Sequence, residues 1–278
     1  MVLAAGLGTR LRPLTDLRAK PLVPVGDRPA LAHLLDRLRA AGIPRVVVNA
    51  HHHPEQLRAF ARIHPGVALS EETALLGTAG GIAHASDLLG AGDVLLCNAD
   101  IVADVDLRAL LAGHRDQATL VVQPLPCGQG SVGTDASGRV VRLRRERFGD
   151  EARGGEFLGI HVLGAALRAR LPERGGLIED VYIPALARGA TLRSLPFDGA
   201  WRDIGTVEGY LDANMTWLAA RGRESWIGPG ARVADGVRLE GAVVGEGASV
   251  TGQGALCRCV VWPGAKAVAP LADQVVSA

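Results

Sequence analysis

Aromatic side chains make up only 4% of the 278 residues, and cysteine occurs four times, at Cys97, Cys127, Cys257 and Cys259. Four scattered thiols cannot form the disulfide framework of a small secreted fold, and no histidine pair near the Cys-x-Cys at 257–259 supplies zinc-type spacing. Reduced thiols and a cytoplasmic protein are the expectation. An excess of either charge is also missing: 30 Lys and Arg against 29 Asp and Glu leave +1. No global field therefore draws the chain onto nucleic acid or an anionic membrane, and an anionic ligand must be held by local groups. No window reaches the roughly eighteen apolar residues of a membrane span. The start, Met1-Val2-Leu3-Ala4-Ala5-Gly6, has neither the basic region nor the length of a secretory signal.

What is present is apolar substance and glycine. At 48% hydrophobic, the chain can bury the core of one large domain, or of a large domain with a small one. Its 36 glycines, about 13% of the residues, are nearly twice the roughly 7% average and need a reason. Through residue 125, short apolar runs alternate with amphipathic stretches. Strands are expected at 2–5, 45–49, 67–70 and 94–98. Helices are expected at 54–61, 78–86 and 105–114, and where Leu31, Leu34, Leu35 and Leu38 share one face ahead of Gly42. This alternation implies right-handed βαβ units: an α/β fold with a mainly parallel, Rossmann-like sheet and helices on both faces. Strands at 119–123, 140–143 and 157–163 follow among glycine-rich loops, then a last helix at 206–220 and a polar linker at 221–224.

Beyond the linker the period changes to six. Ile227, Val233 and Leu239 are six apart; after a five-residue step, so are Val244, Val250, Leu256, Trp262 and Val268. Small residues, Ala231 and Ala248 with Val237 as a larger variant, recur between them. A hexapeptide period with glycine corners predicts a short β-helix with these apolar residues inward. The expected domains are therefore 1–222 and 223–278. Two and a half coils are too few to stand alone, so they should pack on the α/β body or on a second copy in a homo-oligomer.

The first strand runs into Gly6-Leu7-Gly8-Thr9-Arg10, and Lys20 follows in Ala-Lys-Pro-Leu-Val-Pro. Glycines at the carboxyl end of a first strand let backbone N–H groups approach a phosphate. The string is neither a dinucleotide fingerprint nor a P-loop. Arg10 offers phosphoryl oxygens a bidentate fork and Lys20 a point charge; a tight turn with two surface cations is the structural alternative. Asp100 ends the apolar run 94–97, where α/β folds collect catalytic groups, and Asp203 precedes the last helix. Either aspartate alone could be a turn former.

The string Leu-Ala-Ala-Gly-Leu-Gly-Thr-Arg-Leu-Arg-Pro-Leu-Thr, followed by Lys-Pro-Leu-Val-Pro-Val, resembles the signature of the sugar-1-phosphate nucleotidyltransferases over residues 1 to about 216. Members often carry a left-handed hexapeptide β-helix, which matches the tail. The resemblance implies a reaction in which a nucleoside triphosphate and a sugar 1-phosphate give an NDP-sugar and pyrophosphate, with Mg²⁺. It implies that Gly6, Gly8 and Thr9 hold the triphosphate, that Leu3 and Ala5 lie near the nucleoside, and that Arg10 and Lys20 serve catalysis. It further implies that Glu72, Gly77 and Thr78 read the base and that Asp100 and Asp203 bind the metal. Read alone, Leu-Gly-Thr-Ala-Gly-Gly at 76–81 is a helix start with Thr78 as its cap.

The sugar half departs from the pattern. Gly159 in Phe-Leu-Gly-Ile-His-Val resembles the glycine beside the sugar, and Gly130 a second one. Where most members have Glu-Lys-Pro, this chain has Arg142-Leu-Arg-Arg-Glu-Arg147, so Glu146 and Arg147 are the replacements, or the stretch is a solvated loop. Asn49 and His51 are sugar-side or structural candidates, and Glu179 and Asp180 could reach the sugar. Three consecutive histidines, His51 to His53, cannot all face one ion. GDP-mannose-type synthesis is the best match. UDP- or dTDP-sugar synthesis from N-acetylmuramate 1-phosphate or glucose 1-phosphate is the alternative, and a non-catalytic regulatory subunit of the same plan is the reading from a different class.

Overall fold

The computed structural model describes residues 1–277. The chain divides into two compact units: Met1–Gly6 with Leu35–Ala200, and Leu7–Leu34 with the chain from Trp201 onward.

The first unit is built on a ten-stranded sheet. Its four amino-terminal strands, Val2–Leu3, Val46–Ala50, Val67–Glu71 and Val94–Asn98, are parallel to one another as the βαβ pattern requires. Val46, Val47 and Val48 are all buried, the pattern of a strand covered on both faces. Pro54 sits at the first turn of the helix Pro54–Ile63, where its missing N–H costs nothing, and Leu57 and Phe60 face the core. The helix expected at 105–114 starts at Leu107, because the Asp106 carboxylate accepts the Ala109 N–H at 2.9 Å and caps it. The helix expected at 78–86 is two, Gly77–His84 and Ser86–Leu89.

The later strands run the other way. Arg153–Leu163 is antiparallel to Val94–Asn98, to Ala118–Leu125 and to Val132–Thr134, so the sheet is mixed. A strand at Leu192–Pro196 and the helical stretch Ile178–Ala187, which opens with a π-helical turn, were not foreseen from periodicity. Both are short, and the strand mixes Arg and Ser into its apolar positions.

In the second unit the chain from Trp226 winds into stacked parallel coils. Residues of successive coils pair 17 positions apart, Val233 with Val250, Leu239 with Leu256, Val244 with Val261 and Val250 with Ala267, until a register shift in the last coil shortens the offset to 15, Leu256 with Leu271 and Val260 with Val275. A coil thus has two six-residue sides and one five-residue side, and the five-residue step recurs. This corrects the simple grid of six. Val244, Val250 and Leu256 are buried as expected, but the inward place after them belongs to Val261 and then Ala267. Val268 pairs with outward-facing Thr251 and is 64% exposed, and Ile227, on the first coil, is 50% exposed. The helix Val207–Ala219, capped by Thr206, lies against these coils: Arg258 reaches both Asp212 of the helix and Asp273 of the next coil at 2.6 Å.

Candidate active site

In the first unit, the carboxyl ends of the parallel strands present Ala4 to Gly6, Asn49, Glu72 and Asp100 along one sheet edge, the place where open α/β folds bind ligands. The side chains there form a continuous relay. The Ala4 N–H donates to Asn49 Oδ1 at 2.6 Å, Asn49 Nδ2 to Glu72 Oε1 at 2.7 Å, and the Leu76 N–H to Glu72 Oε2 at 3.2 Å. Glu72 is 5% exposed, with both carboxylate oxygens engaged. Through the Leu76 N–H, Glu72 fixes the loop that leads to Gly77. Gly81 is required by this arrangement, since a Cβ there would lie 2.6 Å from Glu72 Oε1 and 2.9 Å from Asn49 Nδ2.

Gly77 has φ +77°, and a Cβ would meet the Gly175 carbonyl at 2.4 Å. Thr78 does not cap the helix. It sits inside Gly77–His84, and its hydroxyl accepts the Leu177 N–H at 2.7 Å, tying this segment to the loop at 175–177.

Asp100 follows the strand Val94–Asn98 and is half-buried. Gly159 stands next to that strand end: its φ is +71°, and a Cβ would fall 2.3 Å from Asn98 Nδ2. Gly130 likewise has φ +71° and no room for a side chain, with the Gly155 carbonyl 2.2 Å from a Cβ. A cavity of about 340 Å³ is lined by Ser131, Leu143, Arg144, Glu156, Phe157 and Ile178, a volume suited to a small ligand. Glu146 is exposed, on the short strand Glu146–Arg147. Glu179 pairs with Arg144 at 2.9 Å, while Asp180 accepts the Gly176 N–H at 2.6 Å.

The residue that organises this region is Arg142, which the sequence left inside an undifferentiated charged run. Its guanidinium donates to both oxygens of Glu151 at 2.7 and 3.0 Å, and to the carbonyls of Gln129, Gly130, Val132 and Arg144. The two side chains are 7% and 1% exposed. Glu151 also accepts the Gly128 N–H at 2.8 Å, and the guanidinium's hydrogen bonds hold its carboxyl below the usual range. One fork thus locks the loop that carries Gly130. An arginine at an inward position of the strand Val140–Leu143 was the available signal, since a buried charge demands a partner.

The second unit carries the cationic residues. Gly8 has φ +64°, the Thr15 hydroxyl donates to its carbonyl at 2.9 Å, and a Cβ there would lie 2.7 Å from Thr15 Cγ2. This turn leads into the single turn Thr9–Leu11, which presents Arg10. Asp203, at the end of the strand Trp201–Asp203, is approached by Arg10 at 3.7 Å and by Lys20 at 4.0 Å, while the Gly205 N–H donates to it at 2.7 Å. Arg10 is 68% exposed and Lys20 12%. Two cations share one carboxylate at the outer limit of ion pairing, and Arg10, the more exposed, can extend its fork toward an incoming anion.

No helix among the described residues is long and apolar enough to cross a membrane. A model of the nucleotidyl transferase family matches residues 1–220. Over 290 residues the chain is 32% identical to the mannose-1-phosphate guanylyltransferase of Mycobacterium tuberculosis, covering 96% of this chain and 80% of that protein. To the mannose-1-phosphate guanylyltransferase catalytic subunit beta of Drosophila pseudoobscura pseudoobscura it is 30% identical over 270 residues, covering 90% and 71%. The crystal structure of HddC from Yersinia pseudotuberculosis complexed with GMP-PN shares the fold, with a TM-score of 0.65 at 21% identity over 78% of this chain and 97% of that one. With its glycine turn, paired cations and strand-end aspartates, the chain belongs to the nucleotidyl transferase family, and it is a sugar-1-phosphate nucleotidyltransferase.

Proposed function

We propose that this enzyme is a mannose-1-phosphate guanylyltransferase, converting GTP and mannose 1-phosphate to GDP-mannose and pyrophosphate with Mg²⁺. The observation that carries the chemistry is Asp203 held between Arg10 and Lys20 beside the Gly8 turn; guanylyl and mannosyl specificity rests on the relatives' activity.

The carboxylates of Asp100 and Asp203 suit magnesium, a hard cation that takes oxygen ligands. Among the described residues no group of three or more His, Cys, Asp or Glu side chains could hold an ion. Such a protein offers at most part of a coordination shell, and magnesium, which keeps waters and phosphate oxygens, fits a partial donor set. When bound, the metal neutralises phosphate charge and orients the phosphates. The protein's own groups do the rest. Backbone N–H groups at Gly6, Gly8 and Thr9 face the triphosphate. Arg10 grips the departing pyrophosphate with its fork. Lys20 stabilises charge on the α-phosphoryl group as the sugar phosphate oxygen attacks it in line. No protein nucleophile is needed. Leu3 and Ala5 border the nucleoside, and the Glu72 relay holds Gly77 and Thr78 at the base. The sugar lies between Gly130 and Gly159, over the loop that Arg142 fixes, with Glu146 at its rim.

Incubation with GTP, mannose 1-phosphate and Mg²⁺ should give GDP-mannose by chromatography and mass, and chelation of the metal should stop it. Failure to form it, with another nucleotide sugar appearing from another pair, would refute the specificity.

A further inference from the structure

Trp262 departs from the rule its coil otherwise follows. At the same corner the first coil has Gly228 and the second Gly245. The three backbone N–H groups make the same bond to the next coil: Gly228 to Val244 at 2.8 Å, Gly245 to Val261 at 2.7 Å, Trp262 to Val276 at 2.8 Å. In the first two coils a Cβ would lie 2.6 and 2.5 Å from the backbone nitrogens of Glu246 and Pro263. The third coil carries the largest side chain there, and it is 3% exposed.

That side chain serves the amino-terminal segment. Trp262 Nε1 donates to the Tyr210 hydroxyl at 3.0 Å, and the hydroxyl donates onward to the Pro24 carbonyl. The indole ring lies 5.0 Å beneath the Arg18 guanidinium. One helical turn beyond Tyr210, Asn214 accepts the Gly26 N–H at 2.8 Å, and Gly26, at φ +62°, has the Trp217 ring where a Cβ would be. Tyr210 and Asn214 are fully buried. Lys20 is thus bracketed: Arg18 is held two residues before it, and Pro24 and Gly26 soon after. The hydroxyl accepts from one side and donates to the other, which leaves it a single orientation, and hydrogen-bond chains of this kind reinforce one another.

We propose that Trp262 is a positioning residue for nucleotidyl transfer: the carboxy-terminal coil holds segment 18–26, and so sets where Lys20 stands. This rests on the role given to Lys20 above. Its consequence is that the coil is a working part of the active enzyme.

Lys20 and Lys266 are the only lysines in the chain, so an amine-selective reagent reports on Lys20 by peptide mass with exposed Lys266 as the reference. In the full-length W262F enzyme, Lys20 labelling should rise several-fold against Lys266. Its kcat per folded molecule should fall about tenfold or more, the scale for losing a supporting contact to a catalytic group, with little change in KM. Y210F should move both readouts the same way, and decides the matter should W262F not fold. R258A, which cuts the separate ion pairs to Asp212 and Asp273, should lower thermal stability and leave Lys20 labelling and kcat alone. Wild-type labelling and kcat in W262F and Y210F would overturn the proposal, as would equal effects from R258A. If the wild-type enzyme transfers no nucleotide, the role of Lys20 is what fails, and the labelling comparison still decides whether Trp262 holds the segment.

Discussion

At Asp203 a single carboxylate stands between two cations, neither closer than 3.7 Å, and the chemistry proposed here turns on that spacing. The Arg10 guanidinium is 68% exposed and its pair contributes little to stability, whereas Lys20 is only 12% exposed. Replacing Lys20 or Asp203 by alanine should lower kcat by at least about a hundredfold, the scale for losing one preorganised charge partner, well beyond any change in melting temperature. Thermal melts run beside turnover assays separate the two effects, and near-normal turnover in either variant would contradict the assignment. Arg142 presents the opposite case. Its fork with Glu151 is buried and fully bonded, so breaking it leaves an unpaired charge, at a cost of about 3 kcal/mol or more. Arg142→Lys cannot reproduce the fork. It should lower the melting temperature and raise KM for the sugar phosphate more than KM for the nucleoside triphosphate; an unchanged ratio of the two would show that the loop at 127–131 does not serve the sugar.

Among the elements, the parallel strands and the glycine turn were legible because each rests on local physics: a Val-rich run buried on both faces, a proline at a helix start, a glycine where φ is positive. The coil was legible in kind, but its true repeat of 17 residues appears only when the second five-residue step is seen, and that step is set by pairing between coils. Arg142, Tyr210 and Trp262 could not be ranked from the sequence, since their partners lie far along the chain and a single arginine or tryptophan reads the same at a surface as in a core. The strand Arg153–Leu163 hides another such residue. His161, buried against the rings of Phe157 and Tyr182, has no hydrogen-bond partner for either ring nitrogen in the structure. Burial, aided by the charge of the Met1 amine, lowers its pKa from 6.5 to about 3. Between those values the unfolded chain binds a proton that the folded chain refuses, so this residue's contribution to stability is complete above pH 6.5 and is lost as pH falls toward 3. Melting temperatures of His161→Phe should fall less steeply over that range than those of the wild type; parallel curves would contradict the assignment.

For the whole molecule, the near-zero net charge conceals a local division of labour. Cations and one aspartate gather by the Gly8 turn, buried carboxylates serve as anchors at Glu72 and Glu151, and the glycine excess falls at the corners and close approaches that demand it. The reaction proposed for the enzyme is guanylyl transfer to mannose 1-phosphate. It is tested most directly by a matrix of GTP, UTP, dTTP and ATP against mannose 1-phosphate, glucose 1-phosphate and N-acetylmuramate 1-phosphate, read by pyrophosphate release with Mg²⁺ present. The highest kcat/KM should belong to GTP with mannose 1-phosphate, and should be lost in Lys20→Ala. A higher value for another pair would contradict the specificity, and silence across the whole matrix while nucleotide still binds would identify a regulatory subunit instead.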